Sequence, residues 1–296
     1  MTKNRADQTA GPREMNDREG QGSRPVRVIA VTSGKGGVGK TNIVASLALS
    51  MAKLGQRVVV MDADLSLANM DILLGLSPEY HLGHVFSGER RLAEVLVNGP
   101  GGIKILPASN DNQGLSLLTE GQKAILLDEM DSLEDSLDVL LIDTSAGIGY
   151  NVVYFNLAAH DRVVIVTPEP TSITDAYALI KFLFTQHREK AFHILVNEAR
   201  SEGEGKEVFV KLAAVADRFL GGPSLYYLGQ IPYDTNIPKA VRRQKAFFEA
   251  FPDSPASKGI TRVAKQLLKD EAGGGGLEGN IRFFWKRLFA FQSSVG

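Results

Sequence analysis

From Val26 onward, short apolar runs rich in β-branched residues alternate with longer stretches in which apolar and polar residues recur at helical spacing. The short runs are apolar at nearly every position, as expected of strands that are covered on both faces of a sheet. Seven runs are predicted strands: VRVIAVT (26–32), RVVVMD (57–62), IKILPA (103–108), DVLLID (138–143), RVVIVT (162–167), FHILVN (192–197) and LYYLGQI (225–231). Helical stretches such as 40–54 and 171–187 lie between them and complete βαβ units. The pattern predicts an α/β fold: a mostly parallel twisted sheet of about seven or eight strands, with helices on both faces and ligands at the carboxyl ends of the strands.

The two ends of the chain differ in composition from this α/β region. Residues 1–25 are polar and rich in Gly, Pro, Arg and Asn, which predicts a disordered arm. A last helix is predicted at 257–270, so the α/β domain is expected to span 26–271. The glycine-rich stretch at 272–279 is typical of a flexible linker, and 280–292 is predicted to be a separate amphipathic helix, the tail helix.

The 296-residue chain contains no cysteine and has a formal net charge of -1. Without thiols it has no disulfides, thiolate metal sites or iron–sulfur ligands, and its near-neutral charge gives no overall field that favours nucleic acid. No apolar run approaches the roughly 18 residues needed to span a bilayer, and residues 1–20 lack the apolar core of a signal peptide. We therefore expect a cytoplasmic protein unless a peripheral element attaches it to a membrane.

The segment after the first predicted strand satisfies the phosphate-loop pattern G-x-x-x-x-G-K-[ST] in full at 34–41. Its glycines allow backbone N–H groups to converge on phosphate oxygens, assisted by the N-terminus of the next helix. Lys40 is expected to bridge the β- and γ-phosphates, and the Thr41 hydroxyl is expected to hold Mg²⁺. The predicted nucleotide-binding residues of this stretch are Gly34, Lys35, Gly36, Gly37, Val38, Gly39, Lys40, Thr41 and Asn42.

Three aspartates lie at the ends of predicted strands, near where a bound nucleotide would be. Asp143 ends DVLLID and suits a carboxylate that reaches Mg²⁺ through water, although it could instead cap the following turn. Asp62 and Asp64 lie at the end of the second strand, and either could orient the attacking water or cap a helix. Spacing alone does not assign these roles. The small residues after Asp143, TSAGIG (144–149), are typical of a switch loop that senses the γ-phosphate.

A second lysine, Lys35, directly follows the first loop glycine, and KGGVGKT resembles the deviant Walker A motif of the MinD/ParA ATPases. DADLSLANMD and DTSAGI resemble the two switch segments of that family, and the likeness covers about residues 26–270. The resemblance implies a P-loop NTPase of the SIMIBI/MinD-like type that hydrolyses ATP to ADP slowly, with Mg²⁺. It also implies an ATP-dependent homodimer in which Lys35 contacts the partner's phosphates, much as an arginine finger does. The alternative is a solvated loop lysine.

The same resemblance assigns roles that spacing leaves open. It implies that Asp64 positions the hydrolytic water and that Asp62 lies near Mg²⁺ and Thr41. It also implies that Asn197 holds the adenine, although its composition and place would suit a turn residue at a strand end equally well. The other implied adenine contacts are Ile231, Pro232 and Tyr233, and the implied catalytic set is Lys35, Lys40 and Asp64.

The tail helix has an amphipathic pattern. At 100° per residue its apolar residues fall within an arc of about 160°. These residues are Ile281, Phe284, Trp285, Leu288, Phe289 and Phe291, and the basic residues opposite are Arg282, Lys286 and Arg287. A basic, aromatic-rich helix on a glycine tether is typical of a segment that lies in an anionic membrane interface. Docking on the protein's own core or on a partner is the alternative. The pattern predicts reversible, peripheral attachment to the inner face of the cytoplasmic membrane.

DTSAGI and VTPEPTSITDAYALIK (166–181) resemble the flagellar-number regulators of the FlhG/FleN (YlxH) family, whereas division-site members usually carry a proline where Ser145 stands. In the arm, Asp7, Gln8 and Arg13 resemble the DQ-x4-R element by which that family stimulates the GTPase FlhF, with Pro12 where leucine is usual. The resemblance implies an FlhF-type GTPase and flagellar switch or basal-body proteins as partners. The alternatives are a MinD-type division-site ATPase, a ParA-type DNA-partition ATPase and a metabolic kinase or ligase. We do not expect DNA as a partner, because DNA is bound through basic surface residues and the tail helix is largely apolar.

Overall fold

The computed structural model describes residues 26–64, 69–107, 119–131, 133 and 136–269. The predictions for the arm, the glycine linker and the tail helix lie outside the described residues.

The described strands form one eight-stranded sheet. They are β1 (Arg27–Ser33), β2 (Val58–Ala63), β3 (Val97–Asn98), β4 (Lys104–Leu106), β5 (Val139–Ala146), β6 (Asp161–Val166), β7 (Ala191–Ala199) and β8 (Ser224–Pro232). Their order is β3-β4-β2-β5-β1-β6-β7-β8, and every neighbouring pair is parallel except the antiparallel pair β3 and β4. The predicted mostly parallel sheet is confirmed, and each of the seven predicted strands is present. The edge strand β3 was not predicted, because its two residues are too few to show a hydrophobic pattern in the sequence.

Eleven α-helices lie among the described residues. They are α1 (Lys40–Lys53), α2 (Met70–Leu74), α3 (Leu82–Phe86), α4 (Leu92–Val95), α5 (Glu120–Asp131), α6 (Tyr150–Ala158), α7 (Pro170–His187), α8 (Glu202–Leu220), α9 (Asn236–Arg242), α10 (Phe247–Ala250) and α11 (Pro255–Lys269). The three predicted helices correspond to α1, α7 and α11. Among the described residues, no helix has both the length and the apolar character required to cross a membrane.

Apolar side chains cover the sheet on both faces. In β1, Ile29 and Val31 belong to the core that includes α1 and α11, whereas Val28 and Ala30 pack on the other face with Phe155 of α6. All seven residues of β1 are buried. Helices on both faces therefore explain why the strand sequences are apolar throughout instead of alternating.

The strand order brings the predicted site together at one edge. Asp62 of β2 pairs in register with Asp143 of β5, and Asp143 also pairs with Val31, just before the phosphate loop. The strand β5 continues to Ala146, three residues past its predicted end, because Thr144 still pairs with Ala63 of β2 and Ala146 with Ser33 of β1. Half of the predicted switch loop TSAGIG is therefore strand.

Candidate nucleotide-binding site

The loop between β1 and α1 depends on glycine at several positions. Gly37 and Gly39 have φ angles of 79° and 84°, a region that residues with a Cβ rarely adopt. Gly34 lies so close to α7 that an added Cβ would be 2.1 Å from the backbone carbonyl of Asp175. Gly39 precedes α1, whose N-terminus has no side-chain cap. Its first backbone N–H groups are therefore suited to bind phosphate oxygens.

A cavity of about 470 Å³ lies beside this loop. Its wall is formed by the loop and the start of α1, by Asp64 and α2, and by Val241 and Gln244 of the turn around the end of α9. The volume lies in the range of small-molecule sites. No sequence motif indicated Gln244, which has a φ of 52° and whose amide donates a hydrogen bond to the carbonyl of Ile72 at 3.2 Å.

Lys40 and Asp143 form a buried pair in the cavity region. The Lys40 Nζ lies 3.6 Å from Asp143 Oδ1, and the two side chains are 11% and 2% exposed. Burial raises the pKa of Asp143, while Lys40 and Thr41 act in the opposite direction. Asp143 Oδ1 has no hydrogen-bond donor within the described residues. Lys40 compensates the charge of Asp143, but Oδ1 can still accept a hydrogen bond, so the site suits a hydrated cation.

Asp62 caps α2. Its Oδ2 accepts the backbone N–H groups of Asn69 and Met70 at 3.1 and 3.2 Å, and its Oδ1 accepts the N–H of Asp64 at 3.1 Å. Burial, followed by the charge of Asp143, raises the pKa of Asp62 from 3.8 to about 7, although the three N–H groups lower it. The capping role that the sequence left open is thus present. A role for Asp62 near Mg²⁺ stays a prediction.

Asp64 lines the cavity directly after β2. Its Oδ1 accepts a hydrogen bond from the Ser145 hydroxyl at 3.1 Å. Sequence reasoning did not assign Ser145 to the site, although its place two residues after Asp143 in a switch segment was a usable signal.

Lys35 is held at the start of α7. Its Nζ donates to Glu169 Oε2 at 2.6 Å and to Thr171 Oγ1 at 3.0 Å. The Lys35 side chain is 37% exposed, whereas the Lys40 side chain is 11% exposed and lines the cavity. The two loop lysines therefore occupy different environments.

Asn197 connects the end of β7 to the phosphate loop. Its Nδ2 donates to the carbonyl of Val38 at 2.8 Å, and its buried Oδ1 has no donor within the described residues. That oxygen could accept a hydrogen bond from the amino group of an adenine. At the end of neighbouring β8, Ile231 is buried, Pro232 is half-buried and Tyr233 is exposed.

Magnesium with a nucleotide fits these residues. No group of three or more His, Cys, Asp or Glu side chains in the described ranges could hold a metal ion by itself. Mg²⁺ needs no such group when a nucleotide is present, because it keeps several waters and takes its other ligands from phosphates and one or two side chains. Thr41 and Asp143 would supply those protein contacts, the latter through water.

Comparisons with known proteins extend the likeness beyond the loop. A protein-family model described as "AAA domain" matches residues 26–194. The chain is 49% identical to the antiactivator FleN of Pseudomonas aeruginosa, with 89% of this chain and 94% of FleN covered. It is 32% identical to the flagellum site-determining protein YlxH of Helicobacter pylori, with 95% and 94% covered. A solved chain of the MinC:MinD cell division protein complex of Aquifex aeolicus superposes with a TM-score of 0.65 at 26% identity, covering 83% of this chain and 97% of that chain.

Both relatives are matched over nearly their whole length, so the likeness extends far beyond the region of the phosphate loop. ATP and ADP with Mg²⁺ are therefore the ligands of this protein, and the reaction is ATP hydrolysis. The chain belongs to the MinD/ParA family of ATPases, within the group that contains FleN and YlxH.

Proposed function

We propose that this ATPase is a nucleotide-controlled switch that regulates the number and placement of flagella. Its partners would be an FlhF-type GTPase and flagellar switch or basal-body proteins. The support is the relatives' described roles, an antiactivator named FleN and a flagellum site-determining protein, each matched over 94% of its length.

The observation that carries the switch mechanism is the position of Lys35. In the single chain its ammonium group is bound to Glu169 and Thr171 at the start of α7. Because the lysine and glutamate side chains are 37% and 62% exposed, this pair contributes at most about 1 kcal/mol. In a dimer, the triphosphate bound to the second subunit could replace Glu169 as the ion-pair partner of Lys35. The triphosphate carries several negative charges, whereas Glu169 carries one. Dimerisation would then depend on the γ-phosphate.

Exposed apolar side chains near the cavity support a second copy as the partner. Ile72 and Val241 line the cavity and are 59% and 39% exposed. Ile148 ends the second switch segment and Tyr150 lies two residues later. Their side chains are 51% and 44% exposed, and Tyr233 is 58% exposed. Covering such side chains is favourable by about 25 cal/mol for each Å² of apolar surface removed from water. A dimer closed over the cavity would bury them.

Within each subunit, Lys40 would bind the β- and γ-phosphates, and Thr41 and Asp143 would hold Mg²⁺. The bound ion neutralises the charge of the phosphate oxygens. Asp64 would orient the attacking water. Asn197 would accept a hydrogen bond from the adenine.

The membrane part of the proposal rests on the tail helix. Arg27, the first residue of β1, donates to the carbonyl of Leu267, near the end of α11. Since the phosphate loop follows the other end of β1, α11 ends at the edge of the sheet opposite the nucleotide. The ten residues between Lys269 and the predicted tail helix span at most about 36 Å, so the tail would act within that distance of this edge. One tail would bind weakly, and two tails on one dimer would bind together through their effective concentration.

Vesicle sedimentation tests the coupling of nucleotide to membrane. Asp64→Ala, which should bind ATP without hydrolysing it, is expected to accumulate on anionic vesicles with ATP and to stay in solution with ADP. Lys35→Ala should bind ATP yet stay monomeric and unbound. A chain truncated before residue 280 should dimerise without binding vesicles. Vesicle binding by the truncated chain, or equal binding with ATP and ADP, would contradict the mechanism.

Gene deletion tests the biological role. We expect altered flagellar counts per cell, restored by the wild-type gene and not by a Lys40→Ala variant. Unchanged counts with misplaced septa would favour division-site placement, and salt-sensitive, ATP-dependent binding to nonspecific DNA would favour DNA partition.

A GTPase assay tests the proposed role of the N-terminal arm. A peptide of residues 1–25 should stimulate an FlhF-type GTPase, and the same peptide with Gln8→Ala should not.

A further inference from the structure

A side-chain hydrogen bond joins the chain after β2 to β5, one position beyond the last pair of residues in the strand register. The register joins Asp62 to Asp143 and Ala63 to Thr144. One step further along both strands, the Ser145 hydroxyl donates to Asp64 Oδ1 at 3.1 Å. The hydrogen bond thus connects the first residue after β2 to a residue inside β5.

The donor belongs to the rigid part of the sheet. Ser145 lies within β5, and the next residue, Ala146, still pairs with Ser33 of β1. The buried Thr144 hydroxyl shares its one hydrogen between the carbonyls of Val31 and Ser145, at 3.1 and 2.9 Å, which restrains the peptide that carries the serine. Strand pairing itself uses backbone groups, so the Ser145 hydroxyl is not needed to hold the sheet together.

The acceptor lies beyond the end of its strand. The backbone N–H of Asp64 donates to Asp62 Oδ1 at 3.1 Å, which fixes the main chain but leaves the side-chain torsions to other contacts. Within the described part of the chain, the Ser145 hydroxyl is the hydrogen-bond partner of the Asp64 carboxylate. Oδ2 is left for other ligands while Asp64 lines the cavity.

We infer that Ser145 is a positioning residue for ATP hydrolysis: by holding Oδ1 of Asp64, it presents Oδ2 to the attacking water. The inference rests on the proposed role of Asp64. Small errors in the placement of a group that orients a reactant lower the rate strongly, because the correct geometry is then populated for less of the time. Ser145 touches neither substrate nor water in this role and acts only through Asp64.

The test is steady-state ATP hydrolysis by the full chain at several protein concentrations, together with the affinity for a fluorescent ATP analogue. Ser145→Ala should lower kcat about tenfold, the effect expected when a hydrogen bond to a charged carboxylate is lost. KM and nucleotide affinity should stay within about twofold, because binding does not use Asp64. Ser145→Thr, which keeps the hydroxyl, should retain most of kcat. Ser87→Ala, which removes an exposed hydroxyl at the end of α3, is the matched control and should behave as wild type.

A double-mutant cycle separates this inference from the proposed function. Asp64→Ala should lose hydrolysis, and adding Ser145→Ala should cause no further loss, because the serine acts through the missing carboxylate. Wild-type kcat in Ser145→Ala, an equal loss in Ser145→Thr, or a further loss in the double variant would overturn the inference while leaving Asp64 catalytic. Wild-type hydrolysis by Asp64→Ala would instead overturn the role of Asp64 and the inference with it. Ser145→Cys, nearly isosteric and a weak donor, repeats the test if Ser145→Ala does not fold.

Discussion

Replacing Asp62 by asparagine should remove much of the pH dependence of the nucleotide-free protein's stability between pH 5 and 8. Asp62 is 3% exposed, and this burial makes ionisation of its carboxyl group unfavourable, although the backbone N–H groups at the start of α2 that donate to it favour the charged form. Burial, with the nearby charge of Asp143, raises the pKa of Asp62 from 3.8 to about 7.

The sign and size of the effect follow from proton linkage. Between pH 3.8 and about 7 the folded state holds a proton on Asp62 that the unfolded state has released. The free energy of unfolding therefore falls as the pH rises through this window. Integrated from pH 5 to pH 8, the loss due to Asp62 is about 2.5 kcal/mol. Asparagine cannot ionise and keeps one acceptor oxygen for α2, so the stability of Asp62→Asn should not show this pH-dependent loss.

Urea unfolding at pH 5, 6, 7 and 8, in EDTA and without nucleotide, measures this difference. The stability of wild type minus that of Asp62→Asn should fall by about 2.5 kcal/mol from pH 5 to pH 8. Asp217→Asn, at an exposed position of α8, is the control and should follow wild type at each pH. Parallel pH profiles for wild type and Asp62→Asn would refute the argument that Asp62 titrates in this range.

Three further changes test other parts of the fold. Gly34→Ala places a methyl group 2.1 Å from the backbone of Asp175, so the loop must shift, and nucleotide affinity by titration calorimetry should fall at least about tenfold. Asp161→Asn leaves Arg27 buried without its charged partner and should cost about 3 kcal/mol in urea unfolding at pH 7. Burial alone would raise the pKa of Asp161, but His193 and Arg27 lower it to about 2, so the Asp161 contribution should be lost as the pH falls from 4 to 2. Phe155→Ala empties a fully buried position of α6 and should cost about 3–5 kcal/mol, measured by thermal and urea unfolding.

The positions of the strands could be predicted because each depends on residues close together in the chain. A continuous apolar run indicates a strand that is buried on both faces, and all seven such runs are strands in the sheet. The phosphate loop also depends on residues close together in the chain. Gly37 and Gly39 adopt left-handed φ angles that glycine reaches without help from distant residues. Lys35 was recognisable for the same reason, as an additional cation in a loop that already has Lys40.

The contacts made by these residues were decided by tertiary structure. Lys35 and Glu169 are 134 positions apart, Asn197 and Val38 are 159 apart, and Ser145 and Asp64 are 81 apart. No pattern within a short window relates such pairs, because their distance depends on the order of the strands in the sheet. The sequence by itself determined where the strands, the phosphate loop and its two lysines lie. Only the sheet order, with β5 between β1 and β2, decided that the loop, the three aspartates and Ser145 would meet at one edge.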